Sequence, residues 1–170
     1  MIMAKTNTVI ASLQLIAFDV DGVFTDGRFY LSDEGVETKA FSTQDGFGIR
    51  SLLNAGIEVA VISGRRSAAV ERRMAELGVR HVIQGCRDKL GAFHELIASL
   101  GIAPAACAFV GDDVPDLPLL NAVGYSVAVA NAVSVVHEAC DHTTLASGGH
   151  GAVREVCELI LAARARADND

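Results

Sequence analysis

Asp19 and Asp21 stand one residue apart at the end of an apolar run, Leu15-Ile16-Ala17-Phe18, and Gly22 comes directly after. A run that stops at Asp and Gly reads as a buried strand leaving the core. In an open α/β sheet, ligands bind beyond the carboxyl ends of the strands, so both carboxylates would sit where that fold keeps its chemistry. Side chains two apart on a strand share a face, which lets the pair serve one metal and one substrate. A lone Asp-x-Asp is a weak signal, and this one gains weight from three groups farther along the chain. Ser63 ends a second stretch that reads as a buried strand, Ile57 to Ile62, and leads into Gly64 and Arg65. A further run, Cys107 to Val110, ends in Gly111, Asp112 and Asp113, with Asp116 one helical turn on, and Lys89 opens the helix between. In a parallel sheet these ends converge, bringing five carboxylates, a hydroxyl and an ammonium into one crevice. So many like charges require a cation, and hard oxygen donors favour Mg²⁺ over zinc. A Mg²⁺ site with a spare carboxylate, a lysine and a hydroxyl suits phosphoryl transfer. One carboxylate can act as the covalent nucleophile toward phosphorus and the other as general acid and base.

The elements that must position these residues alternate along the chain. Residues 1–12 read as a loose lead-in, and the first strand runs from about Leu13 to Phe18. Arg28 to Leu31 and Val36 to Phe41 flank Ser32-Asp33-Glu34-Gly35, a hairpin signal that makes residues 27–42 a flap over the sheet's carboxyl edge. Helical patterns over about 45–55, 67–77 and 88–100 close on Gly56, Gly78 and Gly101. Strands are expected near 57–62, 81–83, 107–110 and 125–129, with shorter helices near 117–122 and 133–139. A glycine-rich segment and a last helix, from about Gly151 to Ala163, occupy 147–170. This alternation predicts an α/β fold, a doubly wound, Rossmann-like parallel sheet with a β-hairpin flap and no cap domain, in one domain over 1–170.

Composition narrows the partners. The chain has 170 residues, 51% of them hydrophobic, with only three prolines, which excludes disorder. A net charge of −7 leaves no basic surplus for nucleic acid. No run approaches the roughly 18 apolar residues that a membrane span needs, and the N-terminus lacks the apolar stretch of a secretion signal. Cys86, Cys107, Cys140 and Cys157 form no C-x-x-C pair and read as small buried hydrophobes in a cytoplasmic protein.

Asp19-Val20-Asp21-Gly22-Val23, Ser63-Gly64-Arg65, Lys89 and Gly111-Asp112-Asp113-Val114-Pro115-Asp116 stand in the order of the four motifs of the haloacid dehalogenase superfamily phosphatases, which the chain resembles. The capless flap, Phe41-Ser42-Thr43-Gln44-Asp45-Gly46-Phe47-Gly48-Ile49-Arg50 and Gly148-Gly149-His150-Gly151-Ala152-Val153-Arg154-Glu155 are similar, more closely, to the 3-deoxy-D-manno-octulosonate 8-phosphate phosphatase family, from about Leu15 to Leu161. That resemblance implies an aspartyl-phosphate on Asp19, with Asp21 as acid and base and as a Mg²⁺ ligand through its carbonyl. Asp112 would be the third protein ligand, supported by Asp113 and Asp116. Ser63 would bind the transferring phosphoryl group, and Lys89 would neutralise it. Substrate contacts would fall on Asp21, Ser42, Thr43, Gln44, Asp45, Gly46, Arg50, Gly64, Arg65, Arg73 and Lys89. Four subunits would assemble through their flaps, and the glycine-rich segment, here with His150 in place of Arg or Lys, would reach a neighbour's site. The implied reaction is Mg²⁺-dependent hydrolysis of an anionic sugar-acid phosphate on the way to lipopolysaccharide. Sister enzymes acting on sialic-acid-type 9-phosphates carry Glu where Arg65 stands, and Arg suits a substrate carboxylate. A phospho-accepting signalling receiver is the alternative from another class, but its phosphorylated Asp ends the third strand, where this chain has Ile83.

Overall fold

A computed structural model of the chain describes residues 2–168. Helix α1 (Ile2–Ala11) precedes β1 (Leu15–Phe18), and β2 (Tyr30–Leu31) and β3 (Glu37–Thr38) form the hairpin. Then come α2 (Thr43–Asn54), β4 (Glu58–Ser63), α3 (Ala68–Leu77), β5 (His81–Gln84), α4 (Lys89–Leu100) and β6 (Cys107–Gly111). After a short 3₁₀ turn, α5 (Leu117–Leu120), β7 (Tyr125–Ala128), α6 (Ser134–Ala139), β8 (His142–Thr143) and α7 (Ala152–Ala167) complete the order.

Six parallel strands lie in the order β5-β4-β1-β6-β7-β8, and β2 and β3 make a separate antiparallel pair. The sheet is thus the expected doubly wound α/β arrangement. Its central strand explains the two cores: Ile16 and Phe18 point to one face, where α1, α2, α3 and α7 supply Ile10, Ile49, Met74 and Ile160. Leu15 and Ala17 point to the other, against Phe93 of α4, Leu119 of α5 and Val136 of α6. Both faces are covered, so β1 is apolar at every position.

Two elements differ from the sequence reading. Residues 2–11 are helix rather than loose lead-in. The cause lies far along the chain: Arg164 of α7 donates to the carbonyls of Ala11 (3.4 Å), Leu13 (3.4 Å) and Ala55 (2.9 Å), while Ile10 sinks into the core. The edge strand β8 is also new, held beside β7 by Asp141, which accepts from the Ser126 backbone (2.9 Å) and hydroxyl (2.8 Å). Of the cysteines, Cys107 and Cys157 are buried as expected, but Cys86 and Cys140 are only half-buried, because both sit in loops. No helix among the described residues is long and apolar enough to cross a membrane.

Candidate active site

Each chemical group is delivered by the end of a rigid element. Asp19 follows β1, Ser63 closes β4, and Asp112 follows β6. Lys89 is the first residue of α4, aimed inward because Asp88 caps that helix by accepting from the Gly91 amide at 2.9 Å. Strands β1 and β6 flank the point where the strand order reverses, so Asp19 and Asp112 meet in the switch-point crevice. There Asp19, Asp21, Ser63, Gly64, Arg65, Lys89, Asp112, Asp113 and Asp116 line one hollow of about 200 Å³.

Lys89 Nζ lies 2.7 Å from Asp19 Oδ1 and 2.7 Å from Asp116 Oδ1. Burial would lower its pKa, but the two carboxylates outweigh that and raise it, so it is a firm cation. The other oxygen of Asp116 accepts from the Asp112 (3.0 Å) and Asp113 (3.4 Å) amides, and Asp113 in turn caps the next turn through Val114 N (2.7 Å). Asp116 therefore has both oxygens engaged and braces the loop. Asp19 is pushed up to about 6 by burial and then by Asp116, against Lys89. Asp112 is pushed up to about 8 by burial, then by Asp19, Asp116 and Asp113.

These are the marks of a site built for a cation. Oxygens of Asp19, Asp112 and Asp116 lie within 4.8 Å of one another. Asp112 Oδ1 is buried without a hydrogen-bond partner. Gly22, at φ +90, is needed beside it: a Cβ there would run into the Asp112 carboxylate. The donor set fits Mg²⁺, with hard oxygens and one buried, unpartnered acceptor.

The substrate residues expected from the sequence do not all gather here. Ser42, Thr43 and Gln44 line a second hollow of about 490 Å³ with Asp26, Phe41 and His150. The Arg73 guanidinium lies against the Cα of Gly46, where a side chain would collide with it. Arg50 is exposed on α2 and lines neither hollow. Asp45 is 1% exposed and has structural work: its Oδ1 accepts from the Arg154 amide at 2.9 Å, capping α7, whose own N-cap residue Gly151 has no side chain. Burial raises its pKa. The glycine-rich segment is anchored within its own chain. Gly149 N donates to Val23 O (3.0 Å), and a Cβ on Gly148 would strike Gly22 O. Asn131 ties the two together, donating to Gly22 O (3.1 Å) and accepting from Gly148 N (2.6 Å).

Sequence reasoning missed two flap residues. The Lys39 side chain is 1% exposed and its ammonium contacts Asp21 Oδ1. Glu37 Oε2 lies 2.6 Å from Arg65 Nη2. Burial would raise Glu37, but the Arg65 guanidinium, the Ser67 hydroxyl and Lys39 outweigh it and hold the carboxyl below its ordinary value. The available signal was a Glu-x-Lys spacing on the return strand, which puts both charges on one face.

Comparison with known proteins accords with this geometry. Residues 81–156 match the family described as haloacid dehalogenase-like hydrolase. The chain is 47% identical over 167 residues to a 3-deoxy-D-manno-octulosonate 8-phosphate phosphatase from Escherichia coli, covering 98% of this chain and 87% of that protein. A solved phosphatase of that name from Moraxella catarrhalis, in complex with magnesium ion, phosphate ion and a KDO molecule, superposes with a TM-score of 0.94 at 45% identity, covering 98% of this chain and 96% of that one. The Yersinia pestis structure gives 0.92 at 45%, covering 95% and 88%.

Proposed function

The chain belongs to the 3-deoxy-D-manno-octulosonate 8-phosphate phosphatase family of haloacid dehalogenase-like hydrolases, and on that basis we propose how its residues hydrolyse this sugar-acid phosphate. The observation that carries the proposal is the Asp19–Lys89–Asp116 chain of charges beside the unpartnered Asp112 oxygen, at the sheet's switch point. Asp19, Asp112 and the Asp21 carbonyl would hold Mg²⁺, which when bound would offset the charge of the phosphoryl group.

Asp19 attacks phosphorus, forming an aspartyl-phosphate as the bond from phosphorus to the sugar's C8 oxygen breaks. Asp21 gives its proton to that departing alkoxide. It then takes a proton from water, which attacks the same phosphorus, releasing inorganic phosphate and restoring the Asp19 carboxylate. Lys89 keeps Asp19 aimed and offsets charge, while Ser63 donates to a phosphoryl oxygen. Arg65 and Gly64 face the sugar, with the Arg65 guanidinium receiving the substrate's carboxylate.

Assembly is the second part of the proposal. Tyr30 and Leu31 of the flap are 72% and 64% exposed, with Phe29 and Val36 also out in solvent. Flap-to-flap packing in a homotetramer would cover them and bring the Ser42–Gln44 hollow, Gly46, Arg50 and Arg73 toward a neighbour's substrate. A cytoplasmic location is supported by four free thiols. No nucleic acid or membrane enters this reading.

The test is phosphate release from 3-deoxy-D-manno-octulosonate 8-phosphate, a sialic-acid-type 9-phosphate and an aryl phosphate, with Mg²⁺ and with chelator. A Mg²⁺-dependent preference for the 8-phosphate, lost in Asp19→Asn, is the expected result. Preference for the 9-phosphate would move the assignment to the sister enzymes, and equal weak activity on all three would overturn the substrate. Sedimentation equilibrium tests the tetramer.

A further inference from the structure

The flap is tied to the site by a closed ring of alternating charge. The Lys39 ammonium contacts Asp21 Oδ1 and lies 3.7 Å from Glu37 Oε1. Glu37 Oε2 is 2.6 Å from Arg65 Nη2, and Arg65 Nε is 3.6 Å from Asp21 Oδ2. The Phe29 ring supports both cations, 4.2 Å from Arg65 Cζ and 5.7 Å from Lys39 Nζ. Two members belong to the reaction already described. Glu37 does not: it touches neither the phosphoryl centre nor the metal donors, yet it puts a carboxylate on the guanidinium that is to receive the substrate's carboxylate.

The geometry creates a competition. A guanidinium grips a carboxylate best through two adjacent nitrogens. The Nε and Nη2 edge of Arg65 is already turned to Asp21 and Glu37. Its other edge shares Nη2, so an incoming carboxylate obtains a full fork only when Glu37 withdraws. Withdrawal is feasible because Glu37 stands on a short hairpin, with two ladder pairs, Tyr30 with Thr38 and Leu31 with Glu37, and a turn closed by Ser32 N donating to Val36 O (3.0 Å). A second carboxylate brought beside Glu37 would also meet like-charge repulsion.

We propose that Glu37 is a specificity-determining residue that occupies Arg65 as a stand-in for the substrate's carboxylate and is displaced by it. The inference rests on the reading of Arg65 as the carboxylate's partner. In the free enzyme Glu37 keeps the guanidinium stacked on Phe29 and aimed at the hollow. Ligands with a carboxylate must exchange for it, and ligands without one leave it in place.

The test compares wild type with Glu37→Gln, which keeps shape and removes charge, on the 8-phosphate and on an aryl phosphate lacking a carboxylate. The ratio of the two KM values isolates the carboxylate, because a general change in field acts on both phosphates alike. An amide is the weaker partner for a cation, so KM for the 8-phosphate is expected to fall about 3- to 10-fold relative to the aryl phosphate. Inhibition by the phosphate-free sugar acid should tighten by a similar factor. Glu37→Asp, with its charge drawn back by one methylene, should shift both readouts the same way by less. An unchanged or rising KM ratio overturns the proposal and makes Glu37 a scaffold for Arg65. If wild type shows no preference for the 8-phosphate and no inhibition by the sugar acid, the reading of Arg65 fails first, and the inference with it.

Discussion

The strand-end cluster and the flap meet at Asp21 but are built on opposite principles. Asp19, Ser63, Lys89 and Asp116 are all buried, each fixed by a strand terminus, a helix start or paired hydrogen bonds. The flap has two-residue strands with exposed faces, and it grips the core through the ion pairs of Glu37 and Lys39 and the Phe29 stack. The contrast locates where precision is needed. Phosphoryl transfer requires donors held on rigid elements. In the reading proposed above, substrate choice falls to the flap, whose contacts with Arg65 exchange one carboxylate for another.

Four measurements put that contrast at risk. The largest effect belongs to the rigid side: Asp19→Asn should lower kcat by at least about 10³-fold with little change in melting temperature, because the covalent step is lost while the amide still fits. On the flap side, Lys39→Met should lower kcat by about 10- to 100-fold, since Asp21 loses the cation that holds it for proton transfer. Restoring most of the rate in Lys39→Arg would mark this as positioning by charge. A loss equal to that of Asp19→Asn would place the flap within the machinery and dissolve the distinction.

The third measurement is melting temperature against pH, with and without Mg²⁺. Burial and the neighbouring carboxylates push Asp112 up to about 8 and Asp19 up to about 6, both above the ordinary aspartate value of 3.8. A raised carboxyl pKa favours the fold below the unfolded value, and that contribution is lost as pH rises through the folded value. The metal-free protein should therefore weaken between about pH 4 and pH 8 at this cluster. Mg²⁺ binds the ionised form, so its stabilisation should grow over the same window. A Mg²⁺ effect independent of pH would show that the cluster is not the binding site. The smallest expected effect is Asp45→Ala, which removes the α7 cap and should cost about 1 kcal/mol, or about 2–4 °C, while leaving KM close to wild type. A KM rise without loss of stability would return Asp45 to the substrate.

Much of the site was readable because its signals are local. Strand ends at Phe18, Ile62 and Val110 are written in apolar runs that stop at polar residues, and helix ends are written in Gly56, Gly78 and Gly101. The parallel alternation then forces those ends to one edge, so the grouping of Asp19, Ser63, Lys89 and Asp112 follows from their order in the chain. The unreadable parts depend on partners far along the chain. Arg164 stabilises the end of α1 from 153 positions away, and Asp45 caps α7 from 109 away. Lys39 reaches Asp21 across 18 residues, and Glu37 reaches Arg65 across 28, only because the hairpin folds back.

The α/β alternation, the acidic cluster and the order of the chemical groups were all legible in the amino-acid order, since spacing and strand termination are properties of a few neighbouring residues. It took the folded chain to establish that residues 2–11 are helical, that Asp45 serves α7, that Ser42–Gln44 line a separate hollow, and that Glu37 holds Arg65. Those outcomes turn on which side chains packing brings within hydrogen-bonding distance, and local propensity carries no information about that.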